Sequence, residues 1–312
     1  MRGFFVLAAA LIAMPVISHA KQLPGELAEK DRALIFEPDS PWRLDVGKDR
    51  CTLARNFKSK DGRGLVAFEQ FAPGPHFDLT IAGPDFSSSQ NGAWTYLGMR
   101  SDKPVEVIDP LEFNLVDYGH AVTLASTQIG DQPPQSPDGR PLISQEIDLQ
   151  AAEMFERVVF QRSTRIVSFE TGSMRAPFEA LNACAIELLD YWEVEPEDHR
   201  QYMPPVLPQP RTYFARLNND LLKAGKLTGS GTLVRLRARI ESDGTVAHCA
   251  FETMPAVQND IPDICADIAK MKFEPALGED GESFASIFTL SVRLTPYGAW
   301  NASADGIRWG GL

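Results

Sequence analysis

Hydrophobic and polar positions alternate most strictly between Thr232 and Leu294. Thr232, Val234, Leu236, Ala238 and Ile240 interleave with Leu233, Arg235, Arg237, Arg239 and Glu241, the period of a strand with one dry and one wet face. Ser242-Asp243-Gly244 supplies tight-hairpin chemistry, so Thr245 to Phe251 is expected to return as a second strand. A helix is expected next, capped by Asp260, with Pro262 in its first turn and Ile261, Ile264, Cys265 and Ile268 at helical spacing up to Met271. After a second turn at Asp280-Gly281, alternation resumes through Phe284, Ser286, Phe288, Leu290, Val292 and Leu294, a long third strand. The predicted order is ββαβ.

The amino-terminal half carries a different pattern of short runs cut by turn chemistry. Strands are expected at Trp42 to Val46, Thr52 to Phe57, Gly64 to Phe71, Phe77 to Ala82, Trp94 to Met99, Glu112 to Asp117, Ala121 to Thr127 and Arg165 to Glu170. Their separators include Lys60-Asp61-Gly62, Ala72-Pro73-Gly74-Pro75, Gly83-Pro84-Asp85 and Ser87-Ser88-Ser89, and Asp131 to Pro141 reads as a loop. Such close spacing predicts an antiparallel sandwich or open barrel. Glu146 to Val159 has the period of an amphipathic helix with Ile147, Ala151, Met154 and Val158 inward. The clearest helix is Pro177 to Trp192, striped by Phe178, Leu181, Ala185, Leu188, Leu189 and Trp192 with Cys184 beside it.

Pro196, Pro204, Pro205, Pro208 and Pro210 mark a boundary, because proline favours extended backbone and ends helices. The expected organisation is α+β: a leader at 1–20, a β-rich domain at 21–195 closed by the 177–192 helix, a Pro-rich spacer at 196–210, a small ββαβ domain at 211–296 and a tail at 297–312. Thr212 to Lys223 is expected to cover the second sheet with Tyr213, Phe214, Leu217 and Leu221 inward, stopped by Gly225.

Three short stretches, Ile240-Glu241-Ser242-Asp243-Gly244-Thr245-Val246, Met271-Lys272-Phe273-Glu274-Pro275-Ala276 and Asp280-Gly281-Glu282, resemble the carboxy-terminal domain of the TonB energy-transducer family. The resemblance covers about Arg211 to Leu294. It implies a strand, an Asp-Gly hairpin, a helix, an aromatic-x-Pro-Ala segment, a Gly turn and a final strand whose edge receives an extended partner. The Tyr-Pro pair usual upstream of the first strand is missing, and Cys249 and Cys265 are found in a subset of the family. The inner-membrane helix and long Pro-rich spacer of an energy transducer are not expected here.

Met1-Arg2, the apolar run Phe4 to Ala13, Pro15 and Ser18-His19-Ala20 read as a secretory signal peptide cut after Ala20, the run being shorter than the roughly 20 residues of a spanning helix. A periplasmic chain with no stable membrane span is therefore expected. The net charge of -12 over 312 residues argues against a nucleic-acid partner. Four cysteines in an exported chain suggest two disulfides, for which three connectivities are possible, or else four buried thiols. Cys249 with Cys265 would tie the second strand to the helix inside one module, leaving Cys51 with Cys184.

Candidate chemistry is sparse. No Gly-x-Ser-x-Gly elbow, His-Glu-x-x-His or complete phosphate loop is present, so no catalytic, cofactor-binding or metal-ligating set is assigned. Arg235, Arg237 and Arg239 share one strand face, where they either meet an acidic partner or stay solvated beside Glu241 and Arg293; solvation is the simpler expectation. Ser286, Phe288, Thr289, Ser291 and Arg293 define the strand edge where an envelope protein would pair, unless the tail after Pro296 covers it. The reading is a non-catalytic exported protein with an interaction module. Its alternatives are an enzyme gathering His76, Asp78, Asp117 and His120 in the first domain, and a purely structural envelope protein.

Overall fold

The computed structural model describes residues 33–84, 95–100, 106–108, 110–131, 134, 140–162, 165–195, 201–227, 229, 231–254, 263–296, 300–304 and 307–311. The leader with its cut after Ala20, the Ser87-Ser88-Ser89 turn, residues 196–200 of the Pro-rich segment, and Asp260 and Pro262 of the expected helix lie outside them. The chain is β-rich, with few helices.

Strands β1 (Ala33–Pro38), β2 (Arg43–Val46), β3 (Cys51–Ser59), β4 (Gly62–Gln70), β5 (Phe77–Ala82), β6 (Thr95–Gly98), β7 (Glu106–Ile108), β8 (Leu111–Leu115) and β9 (Gly119–Thr127) are followed by the short β10 (Ile143–Ser144) and helix α1 (Leu149–Glu153). After β11 (Arg157–Arg162) and β12 (Arg165–Glu170), the long helix α2 spans Arg175–Tyr191. These strands, β10 excepted, form one 11-stranded sheet in the order β7-β6-β11-β12-β1-β3-β4-β5-β9-β8, with β2 also on β3, and the sheet curls as a half-barrel. Its core is aromatic. Phe68 touches Phe77, Phe155 and Phe178 edge-on, while Phe36 stacks on Phe169 at 4.6 Å. That stack presses onto β4 at Gly64, where a Cβ would stand 2.7 Å from the Phe169 ring and 2.8 Å from Phe36.

The helical period over Glu146 to Val159 is overruled. Asp148 caps α1 by accepting from the amides of Gln150 and Ala151, but the helix ends at Glu153 and the chain re-enters the sheet at Arg157. Val158, Val159 and Phe160 explain the switch, since branched and aromatic side chains fit a buried pleated strand flanked by β12 and β6. Met154, expected inward, is 44% exposed. By contrast Phe178, Leu181, Ala185, Leu188, Leu189 and Trp192 all lie buried along α2 or at its end.

The second half contains β13 (Gln201–Tyr202), α3 (Pro210–Lys223), β14 (Thr232–Ile240), β15 (Val246–Met254), α4 (Ile264–Ile268), β16 (Ala276–Leu277), β17 (Ser283–Phe284), β18 (Ser286–Leu294), β19 (Trp300–Ala304) and β20 (Ile307–Gly311). A five-stranded antiparallel sheet runs β15-β14-β18-β19-β20. Its hairpin turn needs Gly244, at φ +83°, because a Cβ there would meet the Phe273 carbonyl oxygen. Tyr213, Phe214, Leu217 and Leu221 of α3 are buried with Val234, Leu236, Leu290 and Val292 in a second core. Helix α4 is capped by Asp263, whose side chain accepts from the Ala266 amide.

Three further expectations change here. The Pro-rich stretch is docked where it is described: Gln201 and Tyr202 pair with β10, Met203 and Val206 bridge to Leu277 and Glu274, and Leu207 is buried. The expected third strand breaks at Ala285, with Ser283–Phe284 pairing β16 instead. Nor is β18 an edge, because Ser291 to Leu294 pair with β19 in the tail and Ser286 to Leu294 pair with β14. Phe288 and Ser286 are fully buried. The cysteines pair as Cys51–Cys184, fastening α2 to β3, and Cys249–Cys265, fastening α4 to β15. No helix among the described residues is long and apolar enough to cross a membrane.

Candidate functional site

The face of β14 expected to be wet is dry. Arg235 and Arg237 are only 4% and 8% exposed, because this face of the second sheet lies against β4, β5 and the β5-preceding loop of the first. Strong desolvation of a guanidinium requires carboxylate partners, and the first sheet supplies two of the three that Arg235 meets. Arg235 donates through Nε to Asp78 Oδ2 at 2.7 Å, through one Nη to Glu69 Oε2 at 3.1 Å and through the other to Glu252 Oε1 at 3.2 Å. Its guanidinium also lies 4.9 Å from the centre of the Phe71 ring. Arg50 completes the network, one of its Nη atoms donating to both carboxylate oxygens of Glu252 at 2.9 and 3.0 Å.

Local structure aims these groups. Glu69 and Asp78 face each other across β4 and β5, an adjacency that places two acids at one point of the sheet. The register between β5 and β9 shifts between Phe77 and Leu79, and the bulge turns the Ser126 amide onto Asp78 Oδ1 at 2.8 Å. Ser126 adopts φ 50° to do so. Gln70 Nε2 donates to the Gly74 and His76 carbonyls and holds the intervening loop. Beside this network Arg237 binds Asp49 through both its carboxylate, at 2.9 Å, and its backbone carbonyl, and lies 5.0 Å from the Trp192 ring centre. Arg239 reaches Glu193 and Glu241.

Burial raises the Asp78 carboxyl above its ordinary range; the Arg235 charge and the Ser126 amide pull the other way without overcoming it. Glu69 is raised for the same first reason, again opposed by Arg235. For Arg235, burial disfavours the charged form, but Asp78, Glu69 and Glu252 outweigh it and raise its pKa. The three groups therefore share a site in which the cation is firmly charged and the acids resist ionisation. Around them lies a cleft of about 140 Å³ between the sheets, reached by His76, Phe77, Phe251, Thr289 and Ser291 as well.

The residues gathered for a possible enzyme do not converge. His76 and Asp78 reach the cleft, but His120 does not line it. His120 Nε2 instead contacts Glu112 Oε2 at 3.1 Å, and the other oxygen of Glu112 binds Arg162 at 2.5 Å. Burial pushes the Glu112 carboxyl up, yet hydrogen bonds from His120 and Arg162 and the Arg162 charge hold it down at about 2. Asp117 sits in the β8–β9 turn at φ 74°. No group of three or more metal-ligating side chains occurs among the described residues. Of the residues expected at a partner-binding edge, Thr289 and Ser291 line the cleft, and Ser291 and Arg293 pair with β19.

Sequence reasoning missed Arg50, Glu69 and Glu252. The signal that could have found them is the spacing of Arg235, Arg237 and Arg239 on one face, which demands acids somewhere if that face is covered. Comparison of the chain with known protein families, characterised proteins and solved structures finds no match.

Proposed function

We propose that this is an exported, two-domain protein of the bacterial envelope, periplasmic once its leader is cut after Ala20. Its 211–296 region acts as a TonB-like, non-catalytic interaction module and not as an energy transducer. The observation that carries this reading is the order of the five-stranded sheet, which ends on β20. Because β19 and β20 follow β18, the edge offered to an extended segment of another envelope protein is that of β20, where backbone pairing would supply affinity. The disulfides support an oxidising compartment. Commitment of Asp78 and Glu69 to Arg235 supports the non-catalytic reading, since carboxylates so held are structural partners before they are proton carriers.

The test is a photo-crosslinking amino acid placed at Arg308 in the full chain, with Lys58, on β3 of the other sheet, as control. Arg308 is expected to yield one discrete envelope adduct that Lys58 does not. The reading fails if neither position yields an adduct, or if both yield the same set.

A further inference from the structure

The first sheet carries its own open edge, and its sequence is complementary to itself. Strand β2 pairs with β3 through Arg43–Ala54, Leu44–Leu53, Asp45–Thr52 and Val46–Cys51. The Gly47 amide donates to the Arg50 carbonyl at 2.9 Å and closes this hairpin. Hydrogen-bonded and non-bonded pairs alternate along an antiparallel ladder, so Asp45 and Arg43 bond to β3 while the N–H and C=O groups of Leu44 and Val46 point outward. No strand among the described residues pairs with that outer side. All four side chains are exposed, Leu44 by 36% and Val46 by 57%.

We propose that β2 is the interface of a two-fold homodimer, formed by antiparallel pairing of β2 with β2 of a second copy about Leu44. In that register Leu44 meets Leu44, and its outward N–H and C=O exchange both bonds with their symmetry mates. Arg43 lies opposite Asp45 of the second copy, and Asp45 opposite Arg43, so each interface carries two cross-strand ion pairs. Neither residue is in an ion pair among the described residues. Val46 comes opposite Trp42, whose parity also directs its backbone outward. Pro41, which has no N–H to give, falls on the inward parity and costs the new ladder nothing. Leu44 and Val46 share the face of Leu53 and Cys51, both buried, so the pairing would continue the apolar side of one sheet into the other. The surface belongs to the opposite sheet from β20 and stands whether or not the partner reading holds.

The experiment is sedimentation velocity on the full oxidised chain across a concentration series, joined to cysteine crosslinking. Reversible dimers are expected. Asp45→Arg should weaken self-association about tenfold or more, because it sets like charges opposite each other twice, and Arg43→Asp should do the same. The double variant R43D/D45R restores both pairs and should restore the dimer. Leu44→Cys should give a reducible dimer band, since its symmetry mate is about 5.5 Å away Cα to Cα. Val46→Cys should not, as its mate is displaced by four residues, about 13 Å along the strand. Thermal melts of each variant show whether the monomer fold is kept. A wild-type chain that is monomeric at every concentration overturns the proposal. So does a dimer indifferent to the charge swap, or one crosslinked equally through both cysteines.

Discussion

Arg235 joins the two sheets, contacting Asp78 and Glu69 of one and Glu252 of the other. Its removal leaves two buried acids without their cation, and Arg235→Met is expected to cost about 3–5 kcal/mol near neutral pH. The pH dependence follows from the direction of the shifts. Asp78 and Glu69 have raised pKa values in the folded chain, so their contribution is full below the ordinary carboxylate range and is lost as pH rises through the raised values. Without the guanidinium that loss steepens. Urea unfolding of Arg235→Met should therefore show a larger deficit at about pH 7 than at about pH 4; equal deficits would contradict the account. Glu112 behaves in the opposite sense. Held at about 2, it contributes stability above its ordinary pKa of 4.5 that disappears as pH falls toward about 2. Glu112→Gln should accordingly be less stable than the parent at neutral pH and converge with it in acid.

At the level of elements, each core helix was legible where one face stayed apolar for several turns. The stripes of α2 and α3 emerge within a few residues of their predicted bounds, and β5 and β12 agree with the expected limits. The 146–159 segment misled because its apolar spacing fits two periods, and neighbours from β6 and β12, distant in sequence, chose the strand. Strand β7 gave no clear signal, being three residues long, and β1, Ala-Leu-Ile-Phe-Glu-Pro, gave none because its apolar residues run together without alternating with polar ones. The disulfides fasten single elements to single strands, which gives each a measurable weight. Replacing Cys249 and Cys265 together by Ala should cost about 3 kcal/mol, and replacing Cys51 and Cys184 nearer 5, on loop-closure entropy for separations of 16 and 133 residues. Denaturant midpoints of the two double variants check the order; a larger loss from the shorter loop would count against the entropic account.

At the scale of the whole molecule, two cores meet across a charged seam flanked by an apolar patch of Leu189, Trp192, Val194 and Ile287. The seam was the part of the site least visible in the sequence. Its cation is named by the strand pattern, but its two first-sheet acids, Asp78 and Glu69, sit 157 and 166 residues away from Arg235, where no local periodicity speaks of them. Coupling of the cores through the seam has a thermal signature. The parent chain is expected to unfold in one calorimetric transition, and Arg235→Met in two, as each core loses its neighbour's support. A single transition in both chains would place the coupling in the apolar patch. The order of the cysteines has a consequence for how such a chain matures. Cys51 joins Cys184 and Cys249 joins Cys265, so each thiol finds the next one along the chain. A polypeptide emerging from its amino end through an oxidising machinery would therefore acquire both native bonds by simple sequential oxidation. It would have no wrong pair to undo, and its yield would depend on a thiol oxidase while being indifferent to an isomerase.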